Sequence, residues 1–266
     1  MTTLPGDDPL TASDPWQLLE GARTVLAVHA HPDDESLSTG FLLAHLVLSG
    51  IRVELVTATR GEAGEVVAGA VDPADPRPLE EVRAAEIDRA VAALGLAARY
   101  DLGTAPALAA GAAARRYRDS GMRWIREGLA GPALDASPES FTARPRQEAV
   151  DDLVALIEAV RPDLVLGYDD AGTYGHPDHV RAHEISVAAC AATAVPYLEV
   201  ASVGAEAQAF VWRELPEVQP IVLDAVRSYR TQLTVLGPQA DGIAIRHVGG
   251  QEDLVSARTG LRVLRG

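Results

Sequence analysis

Two short runs of histidine and carboxylate residues carry the chemical interest of this sequence. The first, HPDDE at 31–35, comes directly after an apolar run at 24–29, and the second, HPDH at 176–179, follows an apolar segment at 164–168. Imidazole and carboxylate groups are ligand types that suit zinc and chemically similar ions. Two such runs, each just past a predicted strand, indicate two halves of one metal site. A spare carboxylate beside that site indicates hydrolysis.

Zinc in a catalytic site usually takes three protein ligands and leaves one position for water. The two runs offer six candidates for these positions: His31, Asp33, Asp34, His176, Asp178 and His179. Neighbouring side chains at a helix start diverge, so one of the adjacent aspartates should bind the ion while the other takes a proton from the bound water. The same argument separates the two histidines of the second run. Residue types alone leave open which member of each pair does which.

The elements that must bring these runs together alternate between strand-like and helix-like patterns, which predicts an α/β fold with a largely parallel sheet. Strands are predicted at 24–29, 53–59, 99–102 and 164–168, and helices at 35–49, 79–94, 146–160 and 179–192. In open α/β sheets ligands bind beyond the carboxyl ends of the strands, and right-handed crossovers put those ends at one edge. The two runs can therefore meet there.

The remaining stretches carry weaker patterns. Residues 103–145 are rich in small residues and are predicted to form a long excursion over the active-site face. Beyond 197 the sequence predicts strands near 198–202 and 221–223 and helices near 205–213 and 224–236, and it leaves 243–266 undecided. The whole chain, 1–266, is predicted to be one α/β domain, with an N-terminal extension at 1–20 and a more divergent part from about 197.

Composition limits the class of partner. The formal net charge is −15, which argues against nucleic acid and against an anionic membrane surface, and favours a small polar substrate. Cys190 is the single cysteine, so no internal disulfide can form. No run reaches the length of a membrane span and the N-terminus has no signal-peptide pattern, so a cytoplasmic protein is expected. The oligomeric state is not determined by these features.

Both runs resemble the two motifs of the LmbE-like, or PIG-L, zinc-dependent deacetylase family. Further similarity runs through VTATRGEAGE at 56–65, RDSGM at 118–122 and YDDAGTYG at 168–175. These stretches look most like the family branch that acts in mycothiol biosynthesis, the N-acetylglucosaminyl-inositol deacetylases. The resemblance covers roughly residues 22 to 195. It implies a Rossmann-like, three-layer fold with a mostly parallel sheet and long active-site loops.

The resemblance also implies roles in the first run. His31, Asp34 and His179 would be the ligands of one Zn2+ per chain, although these ligand types also suit Fe2+. Asp33 would be the general base and would later protonate the departing amine. Glu35 is expected at the helix start, behind the site, and not as a ligand.

In the second run, the resemblance implies that His176 stabilises the oxyanion of the tetrahedral intermediate. Asp178 would orient His176 and favour its cationic form. Tyr174, two residues earlier, is a candidate for a further oxyanion donor. Charged side chains can bind sugar or inositol hydroxyls through paired hydrogen bonds. Four of them are expected to do so here: Arg60, Glu62, Arg83 and Asp119.

The expected reaction is removal of an N-acetyl group from a glucosamine-containing small molecule, first of all N-acetylglucosaminyl-inositol. An amidase of mycothiol S-conjugates and a deacetylase of antibiotic sugars are the alternatives, and Gly175 favours the first reading. A nucleotide-binding protein would need a glycine-rich turn where this chain has acids. A metal-binding protein without catalysis would not need both Asp33 and His176.

Overall fold

The computed structural model describes residues 14–126, 129–134, 136–202, 204–205 and 208–264. Its helices are α1 (Pro15–Glu20), α2 (Asp34–Leu37), α3 (Gly40–Leu48), α4 (Leu79–Leu94), α5 (Arg146–Val160), α6 (Gly172–Gly175), α7 (Pro177–Thr193) and α8 (Gln219–Val226). Its strands are β1 (Thr24–His29), β2 (Arg52–Thr57), β3 (Ala98–Asp101), β4 (Met122–Arg126), β5 (Leu129–Pro132), β6 (Leu164–Tyr168), β7 (Tyr197–Val200), β8 (Val211–Glu214), β9 (Leu233–Gln239), β10 (Gly242–His247), β11 (Glu252–Ser256) and β12 (Arg258–Val263).

Seven strands form the main sheet in the order β3-β2-β1-β6-β7-β12-β8. The first five of these strands run parallel to one another. Strands β12 and β8 extend the sheet with antiparallel pairing. The strand order reverses between β1 and β6, which are direct neighbours. In doubly wound folds the carboxyl ends of such a pair open into the ligand-binding crevice.

Strand β1 shows why this sheet lies between two helical layers. Val25 and Ala27 belong to a core cluster with residues of α3, α4 and α8. Leu26 and Val28 belong to a second cluster with residues of α5 and α7. Because side chains alternate across a strand, a continuous apolar run buries both faces of the sheet. The prediction of a three-layer α/β fold with a mostly parallel sheet is confirmed.

The predicted helix over 35–49 is wrong as one element, because it divides into α2 and α3 around Thr39. The Thr39 backbone has a φ of −131°, which leaves the helical region. Its hydroxyl donates to the Glu35 carbonyl over 3.1 Å and lies 2.9 Å from His29 Nε2. A threonine side chain that bonds the backbone in this way competes with helix formation.

The predictions beyond 197 are correct only for the strand near 198–202, which is β7. The predicted strand at 221–223 lies inside α8, and the predicted helix at 224–236 ends at Val226 and gives way to β9. The predicted helix at 205–213 includes β8 at its end, and its residues 206–207 lie outside the described residues. Short apolar runs carry too little periodicity to separate a buried helix from a strand.

The two end regions both contribute to the fold. Strands β9, β10 and β11 form a separate antiparallel sheet, while β12 enters the main sheet. At the other end, Trp16 of α1 is fully buried, and its indole N–H donates to the Val211 carbonyl over 2.8 Å. Residues 1–13, most of the predicted N-terminal extension, lie outside the described residues. Among the helices that the structure describes, none combines the length and apolarity needed to cross a bilayer.

Candidate metal centre and active site

The two histidine runs meet at the carboxyl edge of the main sheet, because β1 and β6 are adjacent. His31 Nδ1 lies 3.2 Å from Asp34 Oδ2, and His179 Nε2 lies 3.3 Å from both His31 Nδ1 and Asp34 Oδ1. Ligands that bind one zinc ion at ~2.0–2.1 Å in a tetrahedral arrangement are ~3.3–3.4 Å apart. The pairwise distances match the edges of a tetrahedral site, with the two contacts of Asp34 made by different carboxylate oxygens.

Further ligand-type groups surround this triad. The ligand atoms of His31, His176 and His179 lie within 4.8 Å of one another, and so do those of His31, Asp119 and Asp178. His31 faces both groups with different nitrogens: Nε2 lies 3.1 Å from Asp178 Oδ2. A carboxylate on the second nitrogen of a ligating histidine fixes the tautomer and the ring orientation. Asp178 therefore supports His31 in this arrangement.

The link between Asp178 and His176 runs through the backbone. The Asp178 N–H donates to His176 Nδ1 over 3.2 Å, so a neutral His176 carries its proton on Nε2. Burial, followed by the nearby imidazoles of His31 and His179, lowers the pKa of His176 to about 2. The hydrogen bond leaves Nε2 of His176 as the donor, and the predicted role of the Asp178 carboxylate in favouring a cationic ring stays a prediction.

Asp34 is held by a tyrosine that the sequence analysis did not select. The Tyr168 hydroxyl, at the end of β6, donates to Asp34 Oδ2 over 2.7 Å and accepts from the Ala30 N–H over 3.0 Å. The Tyr168 ring stacks on His179 with centroids 4.4 Å apart. Burial disfavours ionised Asp34, but His179 and His31 outweigh it and hold the Asp34 pKa well below its ordinary value. The sequence signal for Tyr168 is its place at the start of the stretch YDDAGTYG, which resembles the family and precedes the second run.

Asp33 lies in a different environment from the adjacent Asp34. Its φ is 119°, which lies in the left-handed region that L residues rarely adopt. Burial, and then the nearby Asp34 carboxylate, raises the Asp33 pKa well above its ordinary value, and His31 only partly offsets this. A carboxylate with a raised pKa is a stronger base, as a proton-accepting role requires.

The short α6 turn fixes the orientation of His179. Thr173, at a φ of 66°, places its hydroxyl 3.0 Å from His179 Nδ1, so that Nε2 faces His31 and Asp34. The ring of Tyr174 lies 5.5 Å from that of His179 and 6.0 Å from that of His176. On its outer side Tyr174 lies 5.5 Å from the Trp124 ring, which the sequence analysis did not select. These rings form a wall beside the candidate metal centre, and Trp124 is its half-exposed outer member.

Of the four predicted substrate residues, Asp119 and Glu62 lie at the site. Asp119 Oδ1 is 3.7 Å from His31 Nε2, and the Asp119 N–H donates to Glu62 Oε2 over 3.1 Å. Arg60 turns toward β3 and pairs with Asp101 at 3.4 Å. The structure therefore places Asp119 beside His31 and Glu62 behind Asp119, and their contacts with a substrate stay predictions.

Arg83 supports the loop that follows β2. It is 1% exposed, and its guanidinium donates to the carbonyls of Gly61, Gly64 and Glu65, the last two over 3.0 Å. Its Nε has no hydrogen-bond partner among the described residues. Arg83 therefore shapes the wall of the site through backbone contacts, and a contact with substrate stays a prediction.

The chain is similar to one known protein family and to several named proteins. The model of the PIG-L family, described as GlcNAc-PI de-N-acetylase, matches residues 26–190. A relative from Kineococcus radiotolerans named 1D-myo-inositol 2-acetamido-2-deoxy-alpha-D-glucopyranoside deacetylase is 41% identical over 188 residues, which are 69% of this chain and 50% of the relative. A relative of the same name from a Nocardioides species is 37% identical over 237 residues, or 86% of this chain and 75% of the relative.

The chain thus spans about half the length of the Kineococcus relative. Among solved structures, the N,N'-diacetylchitobiose deacetylase from Pyrococcus horikoshii shares the fold with a TM-score of 0.58. That likeness covers 82% of this chain and 73% of the other at 20% identity. The family match extends over more than half of the sequence and includes both histidine runs. This chain therefore belongs to the PIG-L family, as its motifs predicted.

Proposed function

We propose that this chain hydrolyses the acetamide of an N-acetylglucosamine-containing small molecule, with N-acetylglucosaminyl-inositol as the substrate and mycothiol biosynthesis as the pathway. One observation carries the proposal: His31, Asp34 and His179 lie at the spacing of one tetrahedral ion, with Asp33 beside them. The names of the relatives supply the substrate class. The reaction consumes water, breaks the amide C–N bond, and releases acetate and a primary amine.

The three predicted ligands would hold one Zn2+, which when bound polarises the amide carbonyl and lowers the pKa of water. Asp33 takes the proton from the attacking water and later delivers it to the departing nitrogen. Its raised pKa suits both steps, because the acid form must persist long enough to protonate the amine. Asp34, held ionised by two histidines, does not compete for that proton.

His176 stabilises the charge that develops on the carbonyl oxygen. Its Nδ1 already accepts from the Asp178 N–H, which leaves Nε2–H as the donor. One such donor is commonly worth about 3 kcal/mol in the transition state. The phenol of Tyr174, whose ring lies 6.0 Å from that of His176, is a second candidate donor.

Release of primary amine by the zinc-loaded protein tests the proposal. Three substrates are compared: N-acetylglucosaminyl-inositol, free N-acetylglucosamine, and the amide of a mycothiol S-conjugate. Fastest release from the inositol glycoside is expected. Faster release from the S-conjugate would overturn the substrate, and no release from any of the three, with metal bound at one equivalent, would overturn the activity.

A further inference from the structure

Residues 229–232, here called the clamp segment, lie between α8 and β9 and contact the first histidine run from outside the stretch that the family model matches. The Tyr229 hydroxyl donates to Glu35 Oε1 over 2.6 Å, and Gln232 Nε2 donates to the Pro32 carbonyl over 2.8 Å. Between them, the Thr231 N–H donates to Glu86 of α4 over 2.8 Å. The clamp segment is thereby anchored to α4 and also hydrogen-bonded to the turn at 31–35.

The Glu35 carboxylate connects Tyr229 to Asp33 by accepting a hydrogen bond from each. Glu35 and Tyr229 are both 0% exposed, so their hydrogen bond is shielded from water. The other oxygen of Glu35, Oε2, accepts from the Asp33 N–H over 3.2 Å. One buried carboxylate therefore joins the phenol of the clamp segment to the backbone of the predicted base.

Gln232 acts on the same peptide group from its other side. The Pro32 carbonyl and the Asp33 N–H belong to one peptide bond, and peptide bonds are planar. Gln232 holds the oxygen of this plane, and Glu35, held in turn by Tyr229, holds its N–H. The plane is thus fixed at both ends directly before Asp33.

This fixation matters because the Asp33 backbone has a φ of 119°. A residue in that region keeps its conformation only when its surroundings impose it. Among the described residues, the side-chain hydrogen bonds of Tyr229 and Gln232 reach Glu35 and Pro32, and not the three predicted ligands. The contacts of the clamp segment therefore bear on the direction of the Asp33 carboxylate more than on the metal ligands.

We propose that Tyr229 and Gln232 are positioning residues for Asp33, which they aim by fixing the Pro32–Asp33 peptide plane; this rests on the proposed function. Misplacement of a reacting group by about 1 Å can lower a rate about 100-fold. We expect Tyr229→Phe and Gln232→Met each to lower kcat by roughly 10- to 100-fold, while KM and metal content are unchanged.

Matched controls separate positioning from general destabilisation. Tyr117 is also 0% exposed, and its hydroxyl donates to Asp152 over 2.7 Å, so Tyr117→Phe removes an equivalent buried bond elsewhere. Gln219 donates to the carbonyls of Gln239 and Gly242, so Gln219→Met matches the glutamine change. Both controls should keep the kcat of the wild-type protein.

Hydrogen exchange of the Asp33 amide provides a second readout that needs no substrate. Protection of this amide should fall in Tyr229→Phe and Gln232→Met and stay unchanged in the two controls. Unchanged kcat in an active protein, an equal loss in the controls, or unchanged Asp33 protection would overturn the positioning role. Wild-type protein that releases no amine would instead overturn the proposed function, and the exchange experiment would still decide the role of the clamp segment.

Discussion

Two regions border the candidate metal centre, and they are built in opposite ways. The site floor, defined as residues 29–36 together with Tyr168, is almost entirely buried, and most of its polar side chains are hydrogen-bonded. The rim hairpin, defined as β4 and β5, lies over the α6 turn and exposes large apolar side chains. Trp124 is 52% exposed and Ile125 is 59% exposed.

This difference in burial corresponds to two proposed functions, catalysis in the site floor and substrate selection at the rim hairpin. Groups that carry out chemistry must be held within fractions of an ångström, which requires buried and multiply bonded side chains. Groups that select among substrates work from loops and hairpins on a rigid scaffold. We therefore expect changes in the site floor to affect metal binding and kcat, and changes in the rim hairpin to affect KM.

The largest effect is expected for a predicted ligand. His179→Ala removes one corner of the triad, and the metal affinity should fall by more than the ~10- to 100-fold typical of losing an outer partner. Metal content after dialysis against a chelator measures this, with His45→Ala as the control, since His45 pairs with Glu217 away from the site. Full metal retention in His179→Ala would remove His179 from the ligand set.

The second-largest effect is expected for substitution of Asp33, the predicted general base. Asp33→Asn should keep the metal but lower kcat by roughly 100- to 10,000-fold, because the amide cannot accept the water proton. Steady-state kinetics with metal content measured on the same sample test this, with the exposed Asp224→Asn as the control. An unchanged kcat would assign the base to another residue.

A smaller effect is expected for Tyr168→Phe, which removes the hydroxyl bonded to Asp34 and Ala30. Asp34 Oδ2 keeps the His31 N–H as a donor, but the buried Ala30 N–H loses its acceptor, which costs ~1–3 kcal/mol, so the free energy of unfolding should fall by that amount. Denaturant unfolding measures it, and Tyr100→Phe, whose hydroxyl donates to the Glu54 carboxylate, is the comparison. Equal metal affinity in wild type and Tyr168→Phe would show that Tyr168 stabilises only the fold.

The smallest effect is expected at the rim hairpin. Trp124→Ala removes an aromatic partner of Tyr174, and such pairs are worth about 0.5–1.5 kcal/mol, so KM for the inositol glycoside should rise roughly two- to tenfold. The free energy of unfolding should fall by no more than the same amount of about 0.5–1.5 kcal/mol, since this pair lies within the protein, and kcat should not change. Ile125→Ala is the control, because Ile125 lies over Gly131 of the hairpin itself. A fall in kcat without a change in KM would contradict the division between floor and rim.

Local patterns were sufficient for the elements next to the site. The predicted bounds of β1, α4, α5 and β6 match the structure, because each carries a long apolar run or a full helical period between clear ends. Both histidine runs and the family follow from residues that are adjacent in sequence. The segments beyond 197 were mostly mispredicted, since their short apolar runs fit either element.

Local sequence patterns were enough to predict the fold class, the family, and the two strand ends that carry the histidine runs. Tertiary structure decided which atoms of those motifs face one another and what holds them. Tyr168 meets Asp34 across 134 residues, Tyr229 meets Glu35 across 194, and Gln232 meets Pro32 across 200. Such pairs leave no local pattern, because their geometry depends on how the strands order themselves and where the chain returns to the sheet edge.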